Sequence, residues 1–279
     1  MRMLKKLPSL FTFLISLLSF PPLIFAHGGE EETAGEAVTQ TLEDSIRSNS
    51  IKIVVVASIL ILGFLVLTIL LKHLGERVKT VLFLWIVLPT LFTTVYLITS
   101  TIYLNSASSS GGPVHWHADY QIWDCGQKLE LIDPEGFSNR VGSATFHEHN
   151  DNRIHVEGVV VDKKEAALGR FFQFVGGELH NDGFQIPTND GLIVRRNGDP
   201  CKGDRPGTLQ AFVYKTHGDT YRQEKLTDPT SYILSPYGNV PPGDCIIVEF
   251  DSKEKEKTDR LCDSYKLKIE TSKGGFHGD

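Results

Sequence analysis

The sequence predicts two transmembrane helices followed by a mostly-β extracytoplasmic domain, sandwich or barrel-like, with one or two short helices. Two apolar stretches, 53–71 and 81–104, are long enough for helices that cross a hydrocarbon core, which takes about 20 residues. Beyond residue 113 the chain alternates between short segments rich in β-branched and aromatic residues and turns of Pro, Gly, Asn and Asp. We therefore expect a helical hairpin over 51–104 and a β-rich domain over 114–270.

The N-terminus has the pattern of an export signal. Three basic residues, Arg2, Lys5 and Lys6, precede an apolar run over 10–25, and Ala26 follows it. This pattern predicts either a signal peptide that is cleaved after Ala26 or an N-terminal anchor that stays uncleaved.

Charge predicts the orientation of the hairpin. The short connector carries Lys72, Arg77 and Lys79, whereas the segment 27–50 before the first apolar stretch is acidic. Lysine and arginine favour the cytoplasmic side, so the acidic segment and the β domain are expected on the extracytoplasmic side of the cytoplasmic membrane. No Asp or Glu lies within either apolar stretch, which favours an anchor over a transporter.

The two ends of the β domain are expected to be loosely held. Residues 105–113 are small and polar and predict a flexible linker, and the glycine-rich residues 271–279 predict a disordered tail. Within the domain, helices are expected over 163–174 and near 258–265.

The cysteines indicate an oxidising compartment. Their even number within the exported part predicts two disulfides. Four cysteines allow three connectivities, of which we favour Cys125 with Cys201 and Cys245 with Cys262.

Five of the ten histidines lie between residues 115 and 155. His115 and His117 form one His-x-His pair, His147 and His149 form a second, and His155 follows. In a β-strand, residues two apart point to the same face, so each pair presents two imidazoles side by side. This arrangement predicts a site for a divalent transition metal.

The register of a hairpin would bring the second group together. If residues 150–152 form a three-residue loop, His147 lies directly opposite His155 on the same face. A two- or four-residue loop would place His155 opposite a different neighbour and weaken the cluster. The three-residue loop predicts His147, His149 and His155 as ligands, completed by one of His115 and His117.

Two carboxylates accompany the histidines. Asp119 and Glu157 are expected to accept hydrogen bonds that fix the histidine tautomers, instead of binding the ion.

The first predicted strand alternates between two faces. Trp116, Ala118 and Tyr120 lie on a face that should pack, and His115 and His117 lie on the other.

The sequence restricts the metal without identifying it. The only methionines, Met1 and Met3, lie in the signal region, and the cysteines are expected to pair with each other. A blue-copper site would therefore lack its thiolate and methionine ligands. Zinc, copper(II), iron, nickel and manganese remain candidates for a site of nitrogen and oxygen ligands.

The histidine segments resemble an uncharacterised family of exported, often membrane-tethered proteins of bacteria and archaea. The resemblance covers residues 114–179 and implies that these histidines occur together, with no known activity attached. The matching residues are His115, His117 and Asp119 with Cys125-Gly126, then Phe146-His147-Glu148-His149 through Ile154-His155-Val156-Glu157, then Leu168-Gly169-Arg170-Phe171-Phe172.

Three functions stay open at this stage. The domain is expected to capture, buffer or deliver a divalent metal; alternatively it is a metalloenzyme with Glu157 or Glu148 as general base, or a disulfide-stabilised structural or interaction domain without metal. The sequence lacks H-E-x-x-H, G-x-S-x-G and phosphate-binding glycine loops, which favours binding over catalysis and leaves catalytic residues unknown. The expected partners are a membrane and a metal ion. Because the net charge is -6 and the sequence has no basic stripe, we expect no nucleic-acid partner. Any protein partner is unknown.

Overall fold

The computed structural model describes residues 41–71, 75–137, 139–234 and 243–278. The predicted signal segment 1–26 and residues 27–40 lie outside these ranges. In chain order the elements are helices α1 (Leu42–Leu70) and α2 (Glu76–Ala107), strands β1 (Pro113–Asp124), β2 (Gln127–Leu129), β3 (Val141–Gly142), β4 (Phe146–Glu148) and β5 (Arg153–Val159), a 3-10 turn (Lys163–Ala166), helix α3 (Leu168–Phe174), strands β6 (Glu178–His180), β7 (Gly183–Thr188) and β8 (Gly191–Arg196), a second 3-10 turn (Lys202–Asp204), strands β9 (Thr208–His217), β10 (Thr220–Leu226) and β11 (Asp244–Asp251), helix α4 (Asp263–Thr271) and strand β12 (His277–Gly278).

Helices α1 and α2 are long and apolar enough to cross a membrane. They pack against each other, with the rings of Phe64 and Trp85 5.3 Å apart. Helix α1 begins earlier than predicted because Thr41 and Asp44 form a capping box. The Thr41 hydroxyl accepts the Asp44 N–H at 3.1 Å, and the Asp44 carboxylate accepts the Thr41 N–H at 3.3 Å.

The linker predicted over 105–113 is hydrogen-bonded to the β domain. Helix α2 extends into it as far as Ala107, and the Ser109 N–H then donates to the Val160 carbonyl at 3.1 Å. At the start of α1, the Glu43 carboxylate accepts the Val159 N–H at 2.8 Å. Both helices therefore contact the domain at the end of β5.

The β domain contains a nine-stranded sheet and a three-stranded sheet. The large sheet has the order β12-β10-β9-β11-β1-β5-β4-β3, with β2 paired to β1, and the small sheet has the order β6-β7-β8. Strand β1 runs parallel to β11 and antiparallel to β5. The prediction of a mostly-β domain after two apolar helices is confirmed, and among the described residues the large sheet does not close into a barrel.

One face of the large sheet carries the main core. Ala118, Tyr120 and Ile122 of β1 are buried there as predicted, and Trp116 packs against them. Helix α3 adds Phe171 and Phe172, both fully buried, and the small sheet adds three more buried apolar residues, Leu179, Phe184 and Ile186.

The opposite face of the large sheet has two halves. Over β9 and β11 it is covered by α4, and we call this the covered half; its buried residues are Phe212, Tyr214, Cys245, Ile247, Cys262, Tyr265 and Phe276. Over β1, β5 and β4 the same face carries the five histidines, and we call this the histidine half. Phe276 lies in the segment predicted to be disordered, yet it is 2% exposed and is followed by β12, which pairs with β10.

Two disulfides join Cys125 to Cys201 and Cys245 to Cys262, which is the favoured pairing. Because Cys245 lies on β11 and Cys262 caps α4, the second disulfide holds α4 on the covered half. The first lies beside a two-pronged ion pair in which Arg195 of β8 donates to Asp124 of β1 at 2.7 and 2.8 Å.

Several elements differ from the predicted ones. The helix expected over 163–174 is interrupted at Ala167, which is extended and bridges Ile233. The helix expected near 258–265 is α4, which begins only at Asp263. Thr258 precedes it, and its hydroxyl donates to the buried Glu249 carboxylate at 2.6 Å. Strands β6, β7 and β10 have no clear strand pattern in the sequence, because they are rich in polar residues or lie between closely spaced turns.

Candidate metal centre

The central residue of the histidine half is His155 on β5. It lies directly opposite His117 on β1 and directly opposite His147 on β4. The predicted register of His147 and His155 is confirmed, and the pairing of β1 with β5 adds His117 to the same row. Three imidazoles from three adjacent strands therefore lie side by side on one face of the sheet.

Two groups of three histidines each bring their ring nitrogens within 4.8 Å of one another. We call His115, His117 and His155 the outer triad, and His147, His149 and His155 the inner triad. His155 belongs to both. Its ring centroid lies 4.7 Å from that of His117, 4.9 Å from that of His149 and 5.4 Å from that of His147, whose ring it stacks on.

Exposure decreases across this cluster. The His115 side chain is 51% exposed and that of His155 is 12% exposed, whereas His147 is 1% exposed. His117 and His149 are half-buried. The outer triad thus opens to solvent and the inner triad reaches into the sheet.

Two ring nitrogens in the cluster are buried without a hydrogen-bond partner, Nδ1 of His147 and Nδ1 of His155. Leaving a buried polar atom unpaired costs about 1–3 kcal/mol, so native structures rarely retain one without a reason. A metal ion bound to these nitrogens would use both lone pairs. The donor set therefore fits a transition metal, for which imidazole is the commonest protein ligand.

Neighbouring acceptors indicate which nitrogens are free to bind. Asp151 Oδ2 lies 3.3 Å from His155 Nε2. Burial raises the pKa of Asp151, whereas its hydrogen bond to His155 and the charge interaction with that residue lower it. The lowering is the larger effect, so the pKa of Asp151 is below its usual value. A neutral His155 that donates its Nε2–H to Asp151 keeps the Nδ1 lone pair for a metal.

His149 is oriented in the complementary way. Its Nδ1 contacts the backbone carbonyl of Asn139, so this nitrogen donates and Nε2 keeps the lone pair. Neither Asp151 nor Asn139 was predicted to contact a histidine. Asp151 was interpreted only as part of a turn, and Asn139 lies ten residues from His149 with no motif linking the two.

Burial keeps part of the cluster neutral. It lowers the pKa of His117 to about 4, with the charges of His155 and His115 adding to the effect. Burial also lowers the pKa of His147 to about 4, again with contributions from neighbouring histidines. Both imidazoles are therefore neutral at pH 7, and a metal would not have to displace a proton from either one.

The predicted carboxylate acceptors lie in different places. Glu157 lies opposite His115, with its Oε1 2.9 Å from His115 Nε2. Asp119 does not fix a histidine tautomer, because its carboxylate accepts the Arg153 Nε–H at 2.7 Å. The expectation for Asp119 is therefore corrected to an ion pair beside the cluster.

Glu148 is removed from the cluster by its position on β4. It is 1% exposed, and its Oε1 accepts the backbone N–H groups of Asp151 at 2.7 Å and Asn152 at 3.1 Å. An even-numbered residue of this strand points away from the histidines at 147 and 149. Glu148 therefore does not face the histidines, whereas Glu157 contacts His115.

A cleft of about 360 Å³ lies beside the cluster, between the turn after β4 and the beginning of α4. Its walls include Asp151, the ion pair of Asp119 and Arg153, and Ser264. Asp151 therefore contacts His155 on one side and lines the cleft on the other. His180 and His217 are both exposed and lie outside the two triads.

Comparison with known proteins found no matching protein-family model, no matching curated protein and no matching solved structure. The resemblance of the histidine segments to an exported family stays a prediction, and the function must be argued from the geometry.

Proposed function

We propose that this protein is a membrane-anchored protein whose extracytoplasmic β domain binds a divalent transition metal, for capture, buffering or delivery. The observation that carries the proposal is the row of His147, His155 and His117 on three adjacent strands, with two buried Nδ1 atoms that have no hydrogen-bond partner. Unpaired buried nitrogens are unfavourable in a domain that only packs its histidines, whereas a metal site requires their lone pairs.

The ligands we assign are His147, His149 and His155, with His117 or His115 completing the coordination. Zinc, copper(II), iron and nickel all suit imidazole donors, whereas manganese prefers carboxylates. Among the described residues, the five imidazoles outnumber the two carboxylates that lie within 3.5 Å of them, Glu157 on His115 and Asp151 on His155. The donor set therefore ranks manganese below the other four metals.

The proposed location is the cytoplasmic membrane, with the β domain on the extracytoplasmic side. The start of α1 and the end of α2 both contact the domain, so the domain lies at the end of the hairpin opposite the basic connector. A basic connector favours the cytoplasm, and two disulfides require an oxidising compartment.

The test is the metal content of the full chain, purified in detergent without an affinity tag after growth with zinc, copper, iron and manganese. We expect near one equivalent of a single transition metal by elemental mass spectrometry. The double variant His147→Ala/His155→Ala should lose it, and the matched variants His180→Ala and His217→Ala should retain it. Absence of bound metal under every supplement would leave an anchored structural or interaction domain.

The exposed position of His115 beside Glu157 favours a second candidate, a metalloenzyme in which an open coordination position would hold water and Glu157 would act as general base. Azide added to the copper(II)-loaded protein separates the two functions. A new absorption band that saturates with azide would indicate an open position, and an unchanged spectrum would indicate a closed binding site.

A further inference from the structure

We infer that a single ion is shared between two overlapping sites, the outer triad and the inner triad, and passes between them with His155 as the common ligand. This inference rests on the proposed metal-binding function and adds to it a path for the ion. Its basis is that the two triads have one residue in common and differ in exposure.

The sharing follows from the position of His155 in the middle strand. Its ring lies within 5 Å, centroid to centroid, of one half-buried ring from each triad, at 4.7 Å from His117 and 4.9 Å from His149. Ligand atoms of each triad lie within 4.8 Å of one another. An ion can therefore keep its bond to His155 while it exchanges the other two ligands.

The restriction to one ion follows from the contact between His155 and Asp151. His155 Nε2 lies 3.3 Å from Asp151 Oδ2, so the Nε2–H is held there and the buried, unpartnered Nδ1 is the one lone pair available. Two ions bound at once would require Nε2 to lose its proton and its acceptor. Two divalent cations separated by one imidazole would also repel each other strongly.

The direction of loading follows from exposure. His115 is the most exposed ligand, and Glu157 lies 2.9 Å from its Nε2, which attracts a cation to the rim. The Nε2 atoms of His115 and His117 lie 2.9 Å apart, which places the two imidazoles side by side at this rim. The outer triad is thus the entry position, and the inner triad, with His147 1% exposed, is the storage position.

The transfer itself is a ligand exchange. Two metal–nitrogen bonds, to His115 and His117, break while two form, to His147 and His149, and the bond to His155 persists. No electron is transferred, and the number of metal–nitrogen bonds is the same before and after the exchange.

The experiment compares three variants of the full chain in detergent: the outer-pair variant His115→Ala/His117→Ala, the inner-pair variant His147→Ala/His149→Ala, and His155→Gln. Zinc stoichiometry and affinity are measured for each one. We expect one equivalent in the wild type and one equivalent in each pair variant with an affinity at least about 10-fold weaker. His155→Gln should bind more weakly than either pair variant, because it removes a ligand from both positions.

Copper(II) gives the second readout. The electron paramagnetic resonance spectrum of the wild type at one equivalent should be a sum of the spectra of the two pair variants, because the ion occupies both positions. Thermal unfolding of each metal-free variant shows whether the domain is folded, and His180→Ala is the matched control.

The outcomes separate the two levels of the proposal. No zinc bound to the folded wild type overturns the metal-binding function itself. Two equivalents in the wild type, or complete loss in the inner-pair variant with no effect in the outer-pair variant, overturn the sharing alone and leave a metal site in place.

Discussion

The covered half and the histidine half lie on the same face of the large sheet but differ in how their side chains are buried. In the covered half, α4 and a disulfide cover apolar side chains. The buried Tyr265 hydroxyl lies 3.0 Å from the backbone carbonyl oxygen of Tyr214 and 2.9 Å from that of Gly243, and it donates a hydrogen bond to one of them. In the histidine half, imidazoles line the surface and two buried nitrogens lack a partner. Apolar burial under α4 stabilises the fold, whereas the unpaired imidazole nitrogens keep lone pairs that a ligand could use.

The boundary between the halves is the parallel pairing of β1 with β11. Across this boundary, Asp119 of the histidine half pairs in register with Cys245 of the covered half. The change from binding surface to core therefore occurs between two adjacent strands. If this division is correct, substitutions in the covered half should affect stability and those in the histidine half should affect metal binding.

The largest expected effect is that of Tyr265→Ala in the covered half. Tyr265 is fully buried, and its removal leaves a cavity and deletes a buried hydrogen bond, so the free energy of unfolding should fall by about 3–5 kcal/mol. Denaturant unfolding measures it, with Tyr265→Phe as the milder control that loses only the hydroxyl. Zinc affinity of the folded fraction should stay unchanged; a parallel loss of zinc binding would contradict the division into two halves.

Removal of the disulfide that holds α4 should have the next largest effect. The double variant Cys245→Ala/Cys262→Ala opens a loop with a sequence separation of 17 residues. We expect the free energy of unfolding to fall by about 2–4 kcal/mol. Hydrogen exchange should locate the loosened region at α4, and accelerated exchange at β4 and β5 instead would argue against an independent histidine half.

The histidine half should make the metal-free protein sensitive to acid. Burial lowers the pKa of His117 and of His147 to about 4 in the folded chain, below the value of about 6.5 in an unfolded chain. The unfolded state therefore binds more protons between these values, and stability should be complete above pH 6.5 and fall as the pH drops towards 4. Unfolding at pH 7, 5.5 and 4.5 measures this slope, which should be shallower in His147→Gln; an equal slope would exclude His147 as its source.

The smallest expected effect on stability is that of His147→Leu, and its sign is the informative part. Leucine fills a similar volume without leaving a buried nitrogen unpaired, so the metal-free protein should gain about 1 kcal/mol. The increase in unfolding temperature that zinc gives the wild type should be absent from this variant. A strongly destabilised variant would mean that His147 serves the fold and not a ligand.

Local patterns in the sequence were sufficient for much of this description. Hydropathy identified both apolar helices, and the three-residue turn over 150–152 gave the register that places His147 opposite His155. Alternation along β1 identified its buried face, because a strand with one face on a core must alternate.

Long-range pairings could not be obtained in the same way. The alignment of His117 with His155 depends on β1 lying beside β5, and no local pattern specifies that pairing. The capture of Asp119 by Arg153 and the contact of Asp151 with His155 depend on the same arrangement. The prediction of a disordered tail over 271–279 was wrong for Phe276, because its glycine-rich neighbours give no local sign that its ring is buried.

The most direct test of the central claim is zinc X-ray absorption of the loaded full-length protein. We expect a first shell of nitrogen at about 2.0–2.1 Å with the outer scattering of at least three imidazoles. That imidazole scattering should fall in His155→Gln and stay unchanged in His180→Ala. A shell dominated by oxygen, or one that His155→Gln leaves unaltered, would contradict a metal centre in the histidine half.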